Sequence, residues 1–298
     1  MVSFIIRFYQ IEGVFSMFVD LHMHSTYSDG TKNIIEILEI ITKRNIRLFS
    51  ITDHDNIKGQ KETLKLAKER GLLYIPGVEI SCKYSGGVLD ILGYNVSHGN
   101  EALENFLSGL VEHRKKRNKM IIDKLNKLGI EISMEELSSE SGSTVIGRPH
   151  ISRAMLKKGY IQTLEDAFEK YIGEGKPAYV EKNKYEPEEV ISRIRKAGGV
   201  AVLAHPLSLK LDTESLEKKV RELAHAGLQG IEVFYKAYSD EDKMNLLRIA
   251  KKFHLFITGG SDYHGENKPG IEPGVEIPEE LLKDFLKEIS LQKLLSQS

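Results

Sequence analysis

The chain has 298 residues, 41% of them hydrophobic and 29% charged, which fits a globular protein with a sizeable core and excludes a disordered or fibrous one. Lys and Arg number 42 against 43 Asp and Glu, a formal net charge of −1, so no global basic excess advertises tight binding to long nucleic acid, although a local basic groove stays possible. The single cysteine, Cys82, excludes an intramolecular disulfide and suits a reducing cytoplasm, and no stretch reaches the roughly 18 uninterrupted apolar residues of a membrane-spanning helix.

Residues 1–16 are apolar but broken by Arg7, Gln10 and Glu12, and they lack a basic leading region and a small-residue cleavage site. They read as an N-terminal extension, with Met17 as the expected start. The first strand spans 18–24. Its alternation puts Phe18, Asp20, His22 and His24 on one face and Val19, Leu21 and Met23 on the other. Same-face positions sit roughly 6.5–7 Å apart, so two imidazoles can close on one metal ion, and Asp29 follows in the loop.

A helix is expected at about 32–44, with Ile34, Ile35, Leu38, Ile41 and Thr42 on one face. Strand two is 46–52 and ends in Asp53-His54-Asp55. A second helix runs from about 58 to 70 and stops at Gly71. Strand three is 72–75, continuing through Pro76 and Gly77 to Glu79. Strand four is about 88–96. Later come strands 200–204, 230–234 and 255–258, with helices near 186–197, 213–226 and 240–253. This βα repeat of about seven strands predicts an α/β fold, a parallel barrel-like sheet wrapped in helices.

Residues 100–185 break the rhythm. A long helix at 101–128 carries the run His113-Arg114-Lys115-Lys116-Arg117-Asn118-Lys119, followed by a helix at 133–138, a Ser/Gly turn at 138–143 and Gly147-Arg148-Pro149-His150 before another helix. The stretch reads as a helical insertion between barrel parts 17–99 and 186–298, and its basic run reads as a solvated helix face.

Placed on this frame, the polar residues gather. His22, His24 and Asp29 belong to strand one and its loop, His54 ends strand two, Glu79 ends strand three, His205 ends strand five, and Asp262 and His264 follow the last strand. In parallel α/β folds these ends converge on one face. So many carboxylates and imidazoles without cations would carry a heavy desolvation cost, which divalent metals remove. Nitrogen and oxygen donors without thiolate suit zinc, manganese or iron.

These motifs, His22-Met23-His24-Ser25 with Asp29-Gly30, Thr52-Asp53-His54-Asp55, Pro76-Gly77-Val78-Glu79, Ala204-His205-Pro206 and Gly260-Ser261-Asp262-Tyr263-His264, resemble the polymerase and histidinol phosphatase (PHP) family of metal-dependent phosphoesterases. Their order and spacing are most similar to the stand-alone branch of 3′,5′-nucleoside bisphosphate phosphatases and 5′–3′ exoribonucleases. The resemblance covers about residues 17–270. It implies a distorted seven-stranded (β/α) barrel, TIM-like, whose insertion caps the substrate, and two to three divalent ions (Mn2+, Fe2+ or Zn2+). It implies a first metal on His22, His24, Glu79 and Asp262, a second sharing Glu79 with His205, and a third on Asp29, His54 and His264. Strand four usually brings one more histidine in this branch; here Asp90 stands there, a shorter and harder ligand, and His98 is too far along to replace it.

The implied chemistry is attack by metal-activated water on a small phosphorylated substrate, with no residue nucleophile. Acid–base help is expected from His205 or Asp53, although Asp53 and Asp55 flank a ligand and suit an orienting role. Arg148 and His150 resemble the family's phosphate-side residues. Lys182 and Lys184 are weaker candidates, and Tyr27 and Tyr263 could stack on a base or simply pack. Three other readings compete: a histidinol-phosphate phosphatase, disfavoured by the placement of the insertion; a zinc amidohydrolase, whose sites often carry a modified lysine on a middle strand where this chain has Glu79 and Asp90; and a non-catalytic metal-binding module, against which the nearly complete ligand set argues.

Overall fold

A computed structural model describes residues 16–96, 99–141 and 146–289. Strand β1 (Ser16–Asp20) leads to α1 (Ile34–Lys43), β2 (Leu48–Phe49), α2 (Gln60–Glu69), β3 (Leu73–Tyr74), β4 (Gly77–Ser81) and β5 (Asp90–Tyr94). The insertion then contributes α3 (Glu101–Lys127), α4 (Met134–Ser141), α5 (Arg148–Lys157) and the short α6 (Leu164–Ala167). The chain returns through α7 (Pro187–Lys196), β6 (Val200–Leu203), α8 (Thr213–His225), β7 (Gly230–Tyr235), α9 (Asp240–Lys252), β8 (Phe256–Gly260), β9 (Val275–Pro278) and α10 (Glu279–Glu288).

Local chemistry explains these boundaries. Helix α1 starts at a reciprocal cap: the Asn33 side chain accepts from Glu36 N at 3.0 Å, and Asn33 N donates to the Glu36 carboxylate at 2.8 Å. Its buried stripe is Ile34, Ile37, Leu38 and Ile41. Ile35, expected on that stripe, is 45% exposed, because the helical period turns it away and Ile37 takes its place. Helix α7 opens with Pro187 at its first turn and buries Val190, Ile191 and Ile194 against β5 and β6.

The sheet departs from the expected closed, parallel, seven-stranded barrel. The strands form two mixed sheets, β3-β2-β1-β9 and β4-β5-β6-β7-β8. Strand β5 runs antiparallel to both β4 and β6, and β9, which the sequence reading missed, pairs antiparallel with β1. Two strands are only two residues long, too short to continue a ladder. The two sheets meet through isolated bridges instead, Met23 with Tyr263 and His54 with Glu79. Strand β1 also begins at Ser16, paired with Pro278, one residue before the expected start; residues 1–15 of the expected extension lie outside the described residues.

The expected strand 18–24 therefore ends at Asp20, and the ligand candidates lie on its extended continuation. Gly260 makes that possible. A Cβ there would stand 2.4 Å from His22 Cβ, so only glycine lets the segment lie against the end of β8. The insertion keeps its own core, with Ile121, Ile122, Leu125, Ile151 and Met155 at its centre. No helix among the described residues is long and apolar enough to cross a membrane.

Candidate metal centre

Glu79, buried on β4, is the centre of the site. Its Oε2 lies 3.1 Å from His24 Nε2, 3.1 Å from His54 Nδ1 and 3.4 Å from His22 Nε2, and its Oε1 lies 3.0 Å from His205 Nε2. Asp262 Oδ1 stands 3.5 Å from His24 Nε2 and 3.6 Å from His22 Nε2. Asp29 Oδ1 is 3.3 Å from His264 Nε2, and Asp90 Oδ2 is 3.6 Å from His205 Nε2. All nine expected ligands are therefore within one cluster. Donor atoms within 4.8 Å of one another form three groups: His24, Asp29, His54 and His264; His22, Glu79 and His205; His22, His24 and Asp262. The grouping differs from the implied one: His24 also joins the Asp29 set, His22 joins Glu79 and His205, Glu79 is absent from the His22, His24 and Asp262 set, and Asp90 falls in none of the three.

Six atoms of this cluster are buried without a hydrogen-bond partner: His22 Nε2, His24 Nε2, His54 Nδ1, Asp29 Oδ1, Asp90 Oδ1 and Asp262 Oδ1. Each such atom costs free energy on the order of 1–3 kcal/mol, and a concentration of them in one place fits a bound cation. The far sides of the rings are, by contrast, held. Glu232 Oε1 is 3.1 Å from His22 Nδ1, Ser208 Oγ is 2.8 Å from His205 Nδ1, and the Asp262 carbonyl is 2.9 Å from His264 Nδ1. Imidazoles anchored at one nitrogen present the other in a fixed direction, as metal-ligating histidines do.

Behind these anchors stand two buried aspartates. Asp20 accepts from Ser261 N and Oγ, Gly274 N and His22 N, so it ties the His22 strand to the Asp262 turn. Burial lifts its carboxyl to about 6 against those bonds. Asp53 accepts from Ser25 N at 2.8 Å, Ser25 Oγ at 2.6 Å and Ser28 Oγ at 2.6 Å. Both its oxygens are taken up by the turn that follows His24, which fits orientation of that turn. Asp55, His205 and Asp262 all have left-handed backbones (φ 55°, 25° and 55°). Strain of about 1–3 kcal/mol at each is typical of a functional site.

The charges are coupled. Burial raises the Glu79 carboxyl, but the facing His54 and His22 outweigh it and hold the group well below the usual range. Burial, then His264, pushes His24 down to about 3. Burial lowers His205 too, yet Glu79 and Asp90 carry it up to about 9.

The insertion supplies what the sequence reading undervalued. Arg114 donates to Asp55 Oδ2, and Lys182 Nζ lies 3.2 Å from the same oxygen. Lys115, Lys116 and Lys119 are exposed, as expected of a solvated face, but Arg114, Arg117 and Asn118 are buried: at a spacing of three and four residues the run turns one stripe inward. Arg148 stays inside the insertion, its guanidinium 5.4 Å from the Phe168 ring and reaching the Ile172 carbonyl at 3.4 Å. His150 accepts from Gly147 N at 3.0 Å, and Pro149 between them reaches the cavity. Tyr27 donates to Glu62, and Tyr263 packs in the core with Met23 and Phe49, so neither is offered for stacking. His98 lies outside the described residues.

Four residues escaped the sequence reading: Glu232, Tyr235, Lys268 and Arg114. Tyr235 donates to Asp262 Oδ2 at 2.9 Å, and Lys268 donates to the same oxygen. Glu232 left a signal, a lone carboxylate inside the apolar strand Gly230-Ile231-Glu232-Val233-Phe234. A cavity of about 440 Å³ opens onto the cluster, lined by Asp29, His54, Glu79, Asp90, His205, Asp262 and His264.

Comparison with known proteins agrees with this geometry. The PHP domain profile matches residues 20–202. The chain is 32% identical to the 5′-3′ exoribonuclease of Haemophilus influenzae over 82% of this chain and 89% of that protein. It is 30% identical to the 3′,5′-nucleoside bisphosphate phosphatase of Chromobacterium violaceum over 86% and 90%. A solved structure from Chromobacterium violaceum, described as an amidohydrolase with bound sulfate and no metal, superposes with a TM-score of 0.81 at 28% identity, covering 91% of this chain and 95% of that one. With Glu79 at the centre of a His and carboxylate cluster, and relatives that cleave phosphoester bonds, the chain belongs to the PHP domain family of metal-dependent phosphoesterases.

Proposed function

We propose that this hydrolase removes the 3′-phosphate of nucleoside 3′,5′-bisphosphates, trims 5′-phosphorylated short oligonucleotides, or does both. The carrying observation is the set of six buried, unpartnered donor atoms, four of which belong to residues that line one cavity of about 440 Å³: Asp29, His54, Asp90 and Asp262. The names of the two relatives supply the nucleotide class. A cavity of this size suits a nucleotide or a chain end rather than a long duplex.

Two to three divalent ions would be held by His22, His24, Asp29, His54, Glu79, Asp90, His205, Asp262 and His264, with Mn2+, Fe2+ or Zn2+ matching the nitrogen and oxygen donors. When bound, such ions clamp phosphate oxygens and lower the pKa of water, so that hydrolysis needs no residue nucleophile. The protein's part is placement. Glu79 reaches four imidazoles from three segments and fixes the spacing between sites. Glu232 orients His22 by its side chain and His205 through the backbone, whose N–H donates to Oε2 at 2.7 Å. A ligating His205 cannot also carry a proton on Nε2, so its role in the loaded enzyme is that of a ligand. Lys268 sets a cation at the cavity wall for an incoming phosphate. The insertion, entering through α3, acts as the substrate cap, with Arg114 and Lys182 tying it to Asp55 beside His54. Arg148 and His150 would face a phosphate only after a shift of the cap. The one buried cysteine fits a cytoplasmic location.

The test is phosphate release with added manganese from adenosine 3′,5′-bisphosphate, a 5′-phosphorylated dinucleotide, histidinol phosphate and p-nitrophenyl phosphate. The bisphosphate or the dinucleotide is expected to give the highest kcat/KM. A clear preference for histidinol phosphate, or no turnover with any of the metals, contradicts the proposal.

A further inference from the structure

The cavity beside the cluster has a second wall that the metal chemistry does not use. It is built from Val88, Leu207, Tyr235 and Tyr238. Val88 is 44% exposed, one of few large apolar side chains so placed among the described residues. The rings step away from the metal ligands: the Tyr235 centroid is 6.0 Å from that of His205, and the Tyr238 centroid is 4.8 Å from that of Tyr235. Tyr238 thus stands one ring layer beyond the cluster, on the order of the span that a ribose puts between a phosphate and a base.

The wall is rigid. Both tyrosine hydroxyls are anchored, that of Tyr235 on Asp262 and that of Tyr238 by accepting from Leu207 N at 2.9 Å. Val88 N donates to the Ser208 carbonyl at 2.9 Å, and Ser208 Oγ lies 2.9 Å from the Val88 carbonyl and 2.8 Å from His205 Nδ1. Gly87 permits this contact, since a Cβ there would stand 2.4 Å from the Ser208 carbonyl oxygen. The turn that orients a metal ligand therefore also holds the apolar wall in register with it. Val88, Leu207 and Tyr238 carry no amide or carboxylate side chain, so the wall offers faces and no edge-reading groups.

We propose that Tyr238, Val88 and Leu207 form a base-stacking subsite that holds the nucleobase of the substrate and discriminates weakly among bases. This rests on the nucleotide reading of the same site. Stacking of a base on an aromatic ring adds roughly 5- to 150-fold in affinity and tolerates every base, because each has a π face.

The test measures calorimetric binding of adenosine 5′-monophosphate, uridine 5′-monophosphate and ribose 5-phosphate to the manganese-loaded protein. The adenosine nucleotide is expected to bind at least about tenfold tighter than the sugar phosphate. That ratio should collapse toward one in Tyr238→Ala and persist in Tyr238→Phe. It should fall about threefold in Val88→Ala, a truncation at an exposed side chain. The uridine nucleotide should stay within about tenfold of the adenosine one. Equal binding of nucleotide and sugar phosphate by the parent protein overturns the subsite, as does a ratio that survives in both Tyr238→Ala and Val88→Ala. Binding is read apart from turnover: loss of phosphate release with the ratio intact would count against the proposed reaction and leave the subsite standing.

Discussion

At the strand ends, His22, His24, His54, Asp29, Asp90 and Asp262 each bury a donor atom with no hydrogen-bond partner. In the insertion, buried polar side chains are used to hold the fold: Arg117 donates to the Val180 carbonyl at 2.8 Å, Asn118 donates to the Ile146 carbonyl at 2.7 Å, and His150 accepts from Gly147 N. The floor spends its rigidity on keeping unpartnered atoms aimed at one point, by way of Asp20, Asp53, Glu232 and Ser208. The insertion spends its polar groups on its own attachment. Loss of a floor residue should therefore damage ion binding and chemistry, and loss of an insertion residue should damage stability and docking of the cap.

The largest expected effect is on the floor. His24→Ala removes the imidazole shared by two donor groups and should lower phosphate release by at least about a thousandfold, with the melting temperature of the metal-free protein little changed. Surviving turnover in that variant would place the chemistry elsewhere. On the insertion side, Arg114→Ala strips a cation from the buried Asp55 and should cost about 3 kcal/mol of stability in urea unfolding. An unchanged unfolding midpoint would mean that the tie between cap and floor is incidental.

Glu232→Gln tests the support beneath the floor. It keeps the shape but weakens the anchor of His22 Nδ1 and His205 N, and metal affinity should drop about 10- to 100-fold by competition with a chelating dye. Affinity equal to the parent would deny the anchor its role. The smallest effect concerns Lys182. Burial, then the charge of Arg114, lowers its ammonium to about 8, against the attraction of Asp55. The folded chain thus sheds this proton before the unfolded one does. The cost of the buried charge is full below pH 8 and is relieved as pH rises from about 8 toward the ordinary value near 10.5. Relative to Lys182→Met, the parent should gain about 1–3 kcal/mol between pH 7.5 and 10 in denaturant unfolding, and a difference that stays flat contradicts the assignment.

Much of the floor was legible in the sequence, because its ligands sit in short motifs and strand ends converge regardless of how strands are ordered. His22, His24, Glu79 and His264 needed only their motifs. Strand direction was not legible. After Asp90 the run Ile91–Tyr94 is apolar and buried on both faces, and that pattern is the same whether its neighbours run parallel or antiparallel. The four-residue β9 carried too little pattern to separate it from a loop. Arg114 was hidden for another reason. In a run of cations only the folded insertion decides which stripe of α3 turns inward, and no residue in the run itself marks it. Glu232 was readable in principle, since a lone carboxylate in an apolar strand demands a partner.

The central claim is that the nine residues form a multi-ion centre, and metal counting tests it most directly. After loading with manganese and desalting, the parent protein should retain two to three ions per chain by plasma mass spectrometry, and His24→Ala should retain at least one fewer. Fewer than one ion on the parent, or equal counts in parent and variant, would contradict the account.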